Sequence, residues 1–257
     1  MLTIKKEQEK KFFDASFTSF ENAMLSHVMT YYPNHYLMMK EPAIRQTIRV
    51  AFARAGKYGF DTQRNVCQYL NIMLILGSGF DQDPQYPWAE AMLKDTKVSD
   101  PTKKIDGISD KTLEVFGHIS GAHHKHLNKA LLNFCNNSKE LFDRIQQSRL
   151  SDAPSILEEI FPRKAEIVGG ESLQLLLNQA SEKSKTYGIT LDQNTLVLLV
   201  FMFLSGAGFD KDPQFPWASE ILADQSLNQD QKIKAIWEQA VSSLTSFMTK
   251  YSPVIPN

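Results

Sequence analysis

Hydrophobic residues along this chain recur every three to four positions, which is the spacing of one face of an α-helix. The first run predicts a helix over about residues 5–31, with apolar positions at Phe12, Phe13, Phe17, Phe20, Met24 and Val28. Proline lacks an amide hydrogen and disfavours helix in the residue before it, so we expect this helix to stop at Pro33. No stretch shows the strict alternation that is typical of a strand. The pattern predicts an all-α protein.

The rest of the first half predicts a second helix over about 42–57 and a third that is capped by Asp61 or Thr62 and ends at Gly77. Residues 78–86 are predicted to form a loop, and a short helix follows over 88–93, opened by Pro87. A polar connection is predicted to run as far as residue 109, and a fifth helix to begin near Asp110.

The second half predicts the same plan. Helices are expected over 155–161, 172–186, 192–204, 217–223 and 229–250. Residues 129–147 predict a helix that joins the halves and breaks at Asn136 and Asn137. The tail, 251–257, carries two prolines and is expected to be irregular.

Residues 58–93 are written a second time as 187–222, with every matched pair 129 positions apart and no gap. A period of that length is a whole domain, because solenoid repeats are only roughly 20–50 residues long. We therefore predict two similar helical domains that arose by internal duplication and form a pseudo-two-fold pair. The predicted domains are 1–128 and 151–257, and the connecting helix is 129–150.

Identity between the copies is concentrated in one block, whose residues are Gly77, Phe80, Asp81, Asp83, Pro87 and Trp88 in the first copy and Gly206, Phe209, Asp210, Asp212, Pro216 and Trp217 in the second. The glycines stand where a helix must stop, and aspartates in loops bond their own backbone amides. The indoles are expected to clamp the short helix onto the third helix. The block is interpreted as a structural motif, and its loop as a possible docking surface for another protein.

Two metal sites remain as alternatives. Calcium prefers six to eight oxygen ligands, and the paired aspartates of each block supply only two carboxylates. The other candidate is the cluster of His118, His123, His124 and His126, because imidazole binds zinc or nickel. His123 and His126 could share a helical face, although no carboxylate lies nearer than Glu114. The second copy has no comparable cluster, so a polar surface is the favoured interpretation.

Composition is that of an ordinary globular protein, with 42% hydrophobic and 22% charged residues and a net charge of −1. Without a basic field, we expect no nucleic-acid partner. The most apolar stretch, 196–204, spans about nine residues where a bilayer requires about twenty, so no membrane span is expected. The first ten residues lack the apolar core of a secretory signal, and Cys67 and Cys135 are expected to be reduced thiols. A cytoplasmic location fits both features.

Nucleophile and phosphate motifs are missing. Ser120 lacks the glycines of a nucleophile elbow, and Gly77-Ser78-Gly79 has no lysine placed for a phosphate. We therefore expect no enzymatic activity, no catalytic residue and no cofactor.

The pattern of Tyr-Gly, an apolar helix and Gly-x-x-Phe-Asp-x-Asp-Pro-x-x-Pro-Trp-Ala resembles a family of uncharacterised bacterial proteins associated with type VI secretion effector loci. Tyr58-Gly59 begins the pattern in the first half, and Tyr187-Gly188 begins it in the second. The resemblance implies a non-enzymatic protein binder, most simply an immunity protein that binds and neutralises a secreted effector. An effector chaperone or adaptor for the secretion spike is the alternative. A metal-dependent hydrolase that uses His118, His123 and His126 is the alternative from another class.

Overall fold

A computed structural model of the chain describes the backbone of residues 6–251 and the side chains of Gln8 and of 14–246. The predicted apolar contacts of Phe12 and Phe13 fall on side chains outside this part of the chain. Most of the predicted irregular tail, 252–257, also lies outside it.

The described backbone contains thirteen α-helices and no strand, so the all-α class is confirmed. In chain order the helices are α1 Lys6–Tyr31, α2 Pro33–Gly56, α3 Gln63–Leu76, α4 Pro87–Lys94, α5 Pro101–Ser120, α6 Lys125–Asn136, α7 Ser138–Ile145, α8 Ala153–Ile160, α9 Pro162–Val168, α10 Gly170–Thr186, α11 Asp192–Ser205, α12 Pro216–Ala223 and α13 Gln229–Tyr251. Short 3₁₀ turns lie at Phe80–Gln82, Ala122–His124, Leu150–Asp152 and Phe209–Lys211.

Most predicted helices lie within two residues of their predicted bounds. The Thr62 side chain caps α3 by accepting the backbone amide of Asn65, and the joining segment breaks at Asn137. The prediction that a helix begins near Asp110 is wrong. Helix α5 begins at Pro101, nine residues earlier, because the Asp100 carboxylate caps it by accepting two backbone amides.

Helix α2 also differs from its prediction, since it begins at Pro33 and contains a break at Lys40, before Pro42. Lys40 has φ 62° and ψ 165°, a backbone conformation that residues other than glycine rarely adopt. The second half has the same break between α9 and α10, at Gly169, which has φ 79° and ψ 156°. Sequence reasoning had missed α9. The break is therefore common to both halves, with a lysine in one and a glycine in the other.

Two hydrophobic cores organise the fold. The first is built from α1 to α4 and the start of α5, and includes Ile44, Tyr69 and Phe80. The second is built from α6 to α13 and includes Phe203, Phe209 and the end of α5. Helix α5 thus reaches from one core into the other. From α2 to α5, the helix bounds match those of α9 to α13 in the 129-residue register to within two residues, whereas the segment that matches α1 is divided between the end of α6, α7 and α8. The duplication itself stays a prediction.

Within residues 6–251, no helix combines the length and the apolar character that are required for crossing a bilayer. Cys67 and Cys135 are half-buried free thiols that pack beside the first and the second core respectively. Burial raises the pKa of both thiols, which keeps them protonated and unreactive near neutral pH.

Candidate functional site

The glycines that end α3 and α11 contact each other across the middle of the molecule. A Cβ built on Gly77 would lie 2.7 Å from the carbonyl oxygen of Ser205, and one built on Gly206 would lie 2.9 Å from that of Leu76. Both glycines have positive φ, 98° and 100°. Glycine is required here twice over, for its backbone conformation and for the space that it leaves. We call residues 77–86 and 206–215 the paired loops.

The second aspartate of each block crosses to the opposite loop. Asp83 Oδ2 accepts the backbone amide of Ala207 at 2.7 Å. Asp212 Oδ2 accepts the backbone amide of Ser78 at 2.7 Å, and its Oδ1 accepts the Ser78 hydroxyl at 2.7 Å. Ser78 and Ala207 occupy the same place in the two copies. Each aspartate therefore binds the residue after the opposite glycine, which is the reciprocity of an isologous interface.

The same aspartates also form the predicted turn bonds. Asp83 accepts the backbone amide of Gln85, and Asp212 that of Gln214, both at 2.9 Å. The two glutamines then cross as well. The side-chain amide of Gln85 donates to the Met202 carbonyl, and that of Gln214 donates to the Met73 carbonyl, each at 3.0 Å. These hydrogen bonds are repeated on both sides of the interface.

The first aspartate of each block stays within its own half. Asp81 accepts hydrogen bonds from the Tyr58 and Tyr69 hydroxyls at 2.9 and 3.0 Å and pairs with Arg54. Burial, together with the Asp81 carboxylate, raises the pKa of Tyr58 to about 12. The prediction that this aspartate bonds its own loop amides is not what the hydrogen bonds show. Instead, it fastens the loop to α2 and α3.

Asp210 is held in the same manner by fewer groups. The Tyr187 hydroxyl donates to it at 2.5 Å, and Lys183 forms an ion pair with it. Burial and the Asp210 carboxylate raise the pKa of Tyr187. The second half has no counterpart of the Tyr69 hydroxyl, because Leu198 stands at the matching position.

The remaining block residues pack as scaffold. Phe80 and Phe209 are fully buried, one in each core. Pro87 and Pro216 open α4 and α12 in the first turn. The tryptophans are half-buried. Trp88 contacts both cores, whereas Trp217 contacts only the second.

Lys164, on α9, is a buried cation at the interface that sequence reasoning missed. Its ammonium group donates to the Phe203 carbonyl at the end of α11, and it lies 5.9 Å from the ring centroid of Tyr86 in the opposite loop. Burial lowers the pKa of Lys164 from 10.5 to about 8, and the nearby Asp83 carboxylate opposes this fall. Lys164 therefore contacts both halves, through Phe203 in its own half and Tyr86 in the other.

His35 occupies the matching position of the first half and makes the matching contact. Its Nε2 lies 3.0 Å from the Leu74 carbonyl, and since a carbonyl only accepts, this nitrogen carries the proton. Burial lowers the pKa of His35. The 129-residue register aligns the two residues and could have identified them, but histidine and lysine do not form a shared motif.

The predicted histidine cluster does not converge. His118 lies in the last turn of α5, while His123 and His124 lie in a turn with left-handed φ of 50° and 57°. The expectation that His123 and His126 share a helical face is wrong, because α6 begins only at Lys125. Among the described residues, no three histidine, cysteine, aspartate or glutamate side chains come together in a way that could hold a metal ion.

Taken together, the block residues join the two halves and fasten each loop to its own helices. Comparison of the chain with protein-family models, with curated proteins and with solved structures found no match.

Proposed function

We propose that this chain is a cytoplasmic, non-enzymatic protein that binds a type VI secretion effector and neutralises it. The resemblance of the two blocks to proteins of effector loci is the starting point. The binding role is supported by the distribution of polar and apolar groups. The carboxylates of the paired loops bond other groups of the same chain, while large apolar side chains are exposed elsewhere.

Of the eight large apolar side chains that are exposed among the described residues, four lie close in sequence around the turn between α1 and α2. Met29 is 46% exposed, Tyr31 70%, Leu37 46% and Met38 42%. All four lie within residues 29–38, which we call the α1–α2 corner. Single exposed apolar residues are normal on any protein, but a group of them marks an interaction surface. Aromatic and methionine side chains are also enriched at interfaces.

The contacts of the corner with α3 favour the same role. His35, within the corner, bonds the Leu74 carbonyl on α3, the helix that leads into the interface between the halves. A preformed surface loses little conformational entropy on binding, and a neutralising protein benefits from the tight binding that results.

Co-expression with the product of a neighbouring effector gene tests the proposal. We expect a stable complex and restored growth of cells that produce the effector. The double variant Leu37→Glu, Met38→Glu should weaken both, because it introduces charge into the α1–α2 corner. Leu175→Glu is the matched control, since Leu175 is 50% exposed on α10 and is not part of this corner. No complex and no rescue with the unaltered chain would reject the proposal.

The adaptor alternative makes a different prediction for the same pair. Deletion of an adaptor abolishes secretion of the effector but leaves cells resistant to it. Deletion of an immunity protein makes cells sensitive while secretion continues.

A further inference from the structure

Beside the α1–α2 corner lies a cleft of about 510 Å³ between α2 and the loop that leads into α12. We call it the α2 cleft. Its walls are mostly apolar, with Met39, Pro42 and Val50 on one side and Pro213 and Pro216 on the other. The volume falls in the range of roughly 300–1,000 Å³ that is typical of ligand pockets. Met39, in the lining of the cleft, directly follows Leu37 and Met38 of the α1–α2 corner along the chain.

Two lysines stand on opposite walls of the α2 cleft, Lys40 on α2 and Lys211 on the second loop. Both are exposed, and neither ammonium group has an ion-pair or hydrogen-bond partner among the described residues. The acidic residue in the lining is Asp212, whose oxygens already accept hydrogen bonds from Ser78 and Gln214. The cleft therefore offers an apolar floor and two ammonium groups on opposite walls against a single buried carboxylate, which leaves a net positive charge.

The backbone at Lys40 adds an independent observation. Its φ of 62° is a conformation that costs on the order of 1–3 kcal/mol for a residue with a side chain. The matching position in the other half is Gly169, where the same conformation is free of that cost. Lys40 therefore places a charged side chain in the lining of the cleft although its backbone conformation is one that favours glycine.

A second cleft, of about 330 Å³, overlaps the matching place, because Pro87 and Val168 in its lining match Pro216 and Met39 of the α2 cleft, and it differs in charge. Its cations are already paired within the protein, Lys111 with Glu114 and Arg163 with Glu166. Ser172 in this cleft matches Ala43 in the α2 cleft. We call it the α9 cleft, and it serves as an internal control.

From these observations we propose that the α2 cleft binds an acidic segment of the partner protein, with an apolar side chain anchored between α2 and the second loop. Complementary charge on two opposite walls fixes the segment, and the apolar lining supplies the buried area. The inference rests on the proposed function for the identity of the partner, and the charge of the segment comes from the cleft itself.

Labelled synthetic peptides and the full-length chain test the chemistry directly. We use three peptides of equal length, built from leucine and glutamate, from leucine and lysine, and from serine and glutamate. Fluorescence anisotropy should show binding of the leucine–glutamate peptide that weakens as salt is raised, because screening reduces the charge attraction. The other two peptides should bind at least about tenfold more weakly. Equal binding of the leucine–glutamate and leucine–lysine peptides would overturn the proposal.

Variants assign the binding to the cleft. Lys40→Glu with Lys211→Glu should lower the affinity about tenfold or more, whereas Lys97→Glu, exposed and outside both clefts, should leave it unchanged. Ala43→Trp fills the α2 cleft and should abolish binding, whereas Ser172→Trp fills the α9 cleft and should not. Circular dichroism and the urea midpoint confirm that each variant is folded. Unchanged affinity in both α2-cleft variants would reject the site.

The remaining outcomes separate this inference from the proposed function. If the effector binds the unaltered chain and both α2-cleft variants equally, the inference fails and the proposed function stands. If no effector binds but the peptides behave as expected, the proposed function fails and the cleft chemistry stands. Self-association in analytical ultracentrifugation that Ala43→Trp abolishes would identify a second copy as the occupant and overturn the proposal.

Discussion

Asp83 and Asp212 make matching contacts from opposite halves, each reaching the amide after the other half's glycine. The residues that support the loops are not matched in the same way. Arg54, Tyr58 and Tyr69 hold one loop, while Lys183 and Tyr187 hold the other. The contacts that join the halves are therefore symmetric, and the supports behind them are not.

Residues at the interface are therefore constrained by both halves together, and the supports are constrained by one half alone. Asp83 and Asp212 each bond an amide of the opposite half and an amide of their own turn, so a change at either residue alters contacts in both halves. A support behind the loop contacts only its own half and can change alone. His35 and Lys164 lie between these cases, because they share a contact but differ in charge.

Removal of the crossing carboxylates should have the largest effect on stability. Asp212→Ala leaves the buried amide and hydroxyl of Ser78 without an acceptor, and we expect a loss of about 3–5 kcal/mol in the free energy of unfolding. Asp83→Ala should cost more, because the Lys164 cation also loses its nearby anion. Urea unfolding measures both.

The control is Asp95→Ala, since Asp95 accepts only the amide of Lys97 in an exposed turn. It should cost about 1 kcal/mol or less. If Asp83→Ala and Asp212→Ala lower the free energy of unfolding by no more than Asp95→Ala does, the symmetric contacts do not hold the halves together.

The next effect is a pH dependence at the pair His35 and Lys164. The pKa of Lys164 is 10.5 in the unfolded chain and about 8 in the folded one, so the unfolded chain binds this proton more tightly. Stability therefore rises with pH between about 8 and 10.5, by about 3 kcal/mol for this group. The difference in unfolding free energy between the unaltered chain and Lys164→Met should grow in that window. A difference that is flat with pH would contradict it.

His35 should act on the acid side. Its pKa is lowered in the folded state, so the unfolded chain takes up the proton first and stability falls as pH drops below about 6.5. The variant His35→Gln should lose this dependence while Lys164→Met keeps it. The two matched positions are then distinguished by the pH window that each controls.

A smaller effect of opposite sign is expected at the helix breaks. Lys40→Gly should raise the free energy of unfolding by about 1 kcal/mol, because strain is relieved and only part of the gain is lost to the flexibility of the unfolded chain. Gly169→Ala should lower it by about 1–2 kcal/mol, since a Cβ there meets open space but an unfavourable φ. Effects of the same sign at both breaks would be incompatible with the strain at Lys40.

The helices and the 129-residue offset between matched residues were predictable, because the spacing of apolar residues and the repeated block can be read directly from the sequence. Thr62 caps α3 and Gly77 ends it, as their types indicate. The crossing of Asp83 was not predictable, because a turn aspartate and an interface aspartate have the same sequence. Lys164 gave no signal, since a single lysine on a short helix is normally exposed. The start of α5 was missed because the Asp100-Pro101 cap was interpreted as part of a polar connection.

The close approach of the two helix-ending glycines tests the reciprocal interface most directly. Gly77→Ala and Gly206→Ala combine an unfavourable φ with a clash against the opposite backbone, whereas Gly59→Ala and Gly188→Ala share only the unfavourable φ and meet open space. Urea unfolding should show that each interface variant costs at least about 2 kcal/mol more than its matched control. Equal costs in the two pairs would contradict a fold held together by reciprocal contact between the paired loops.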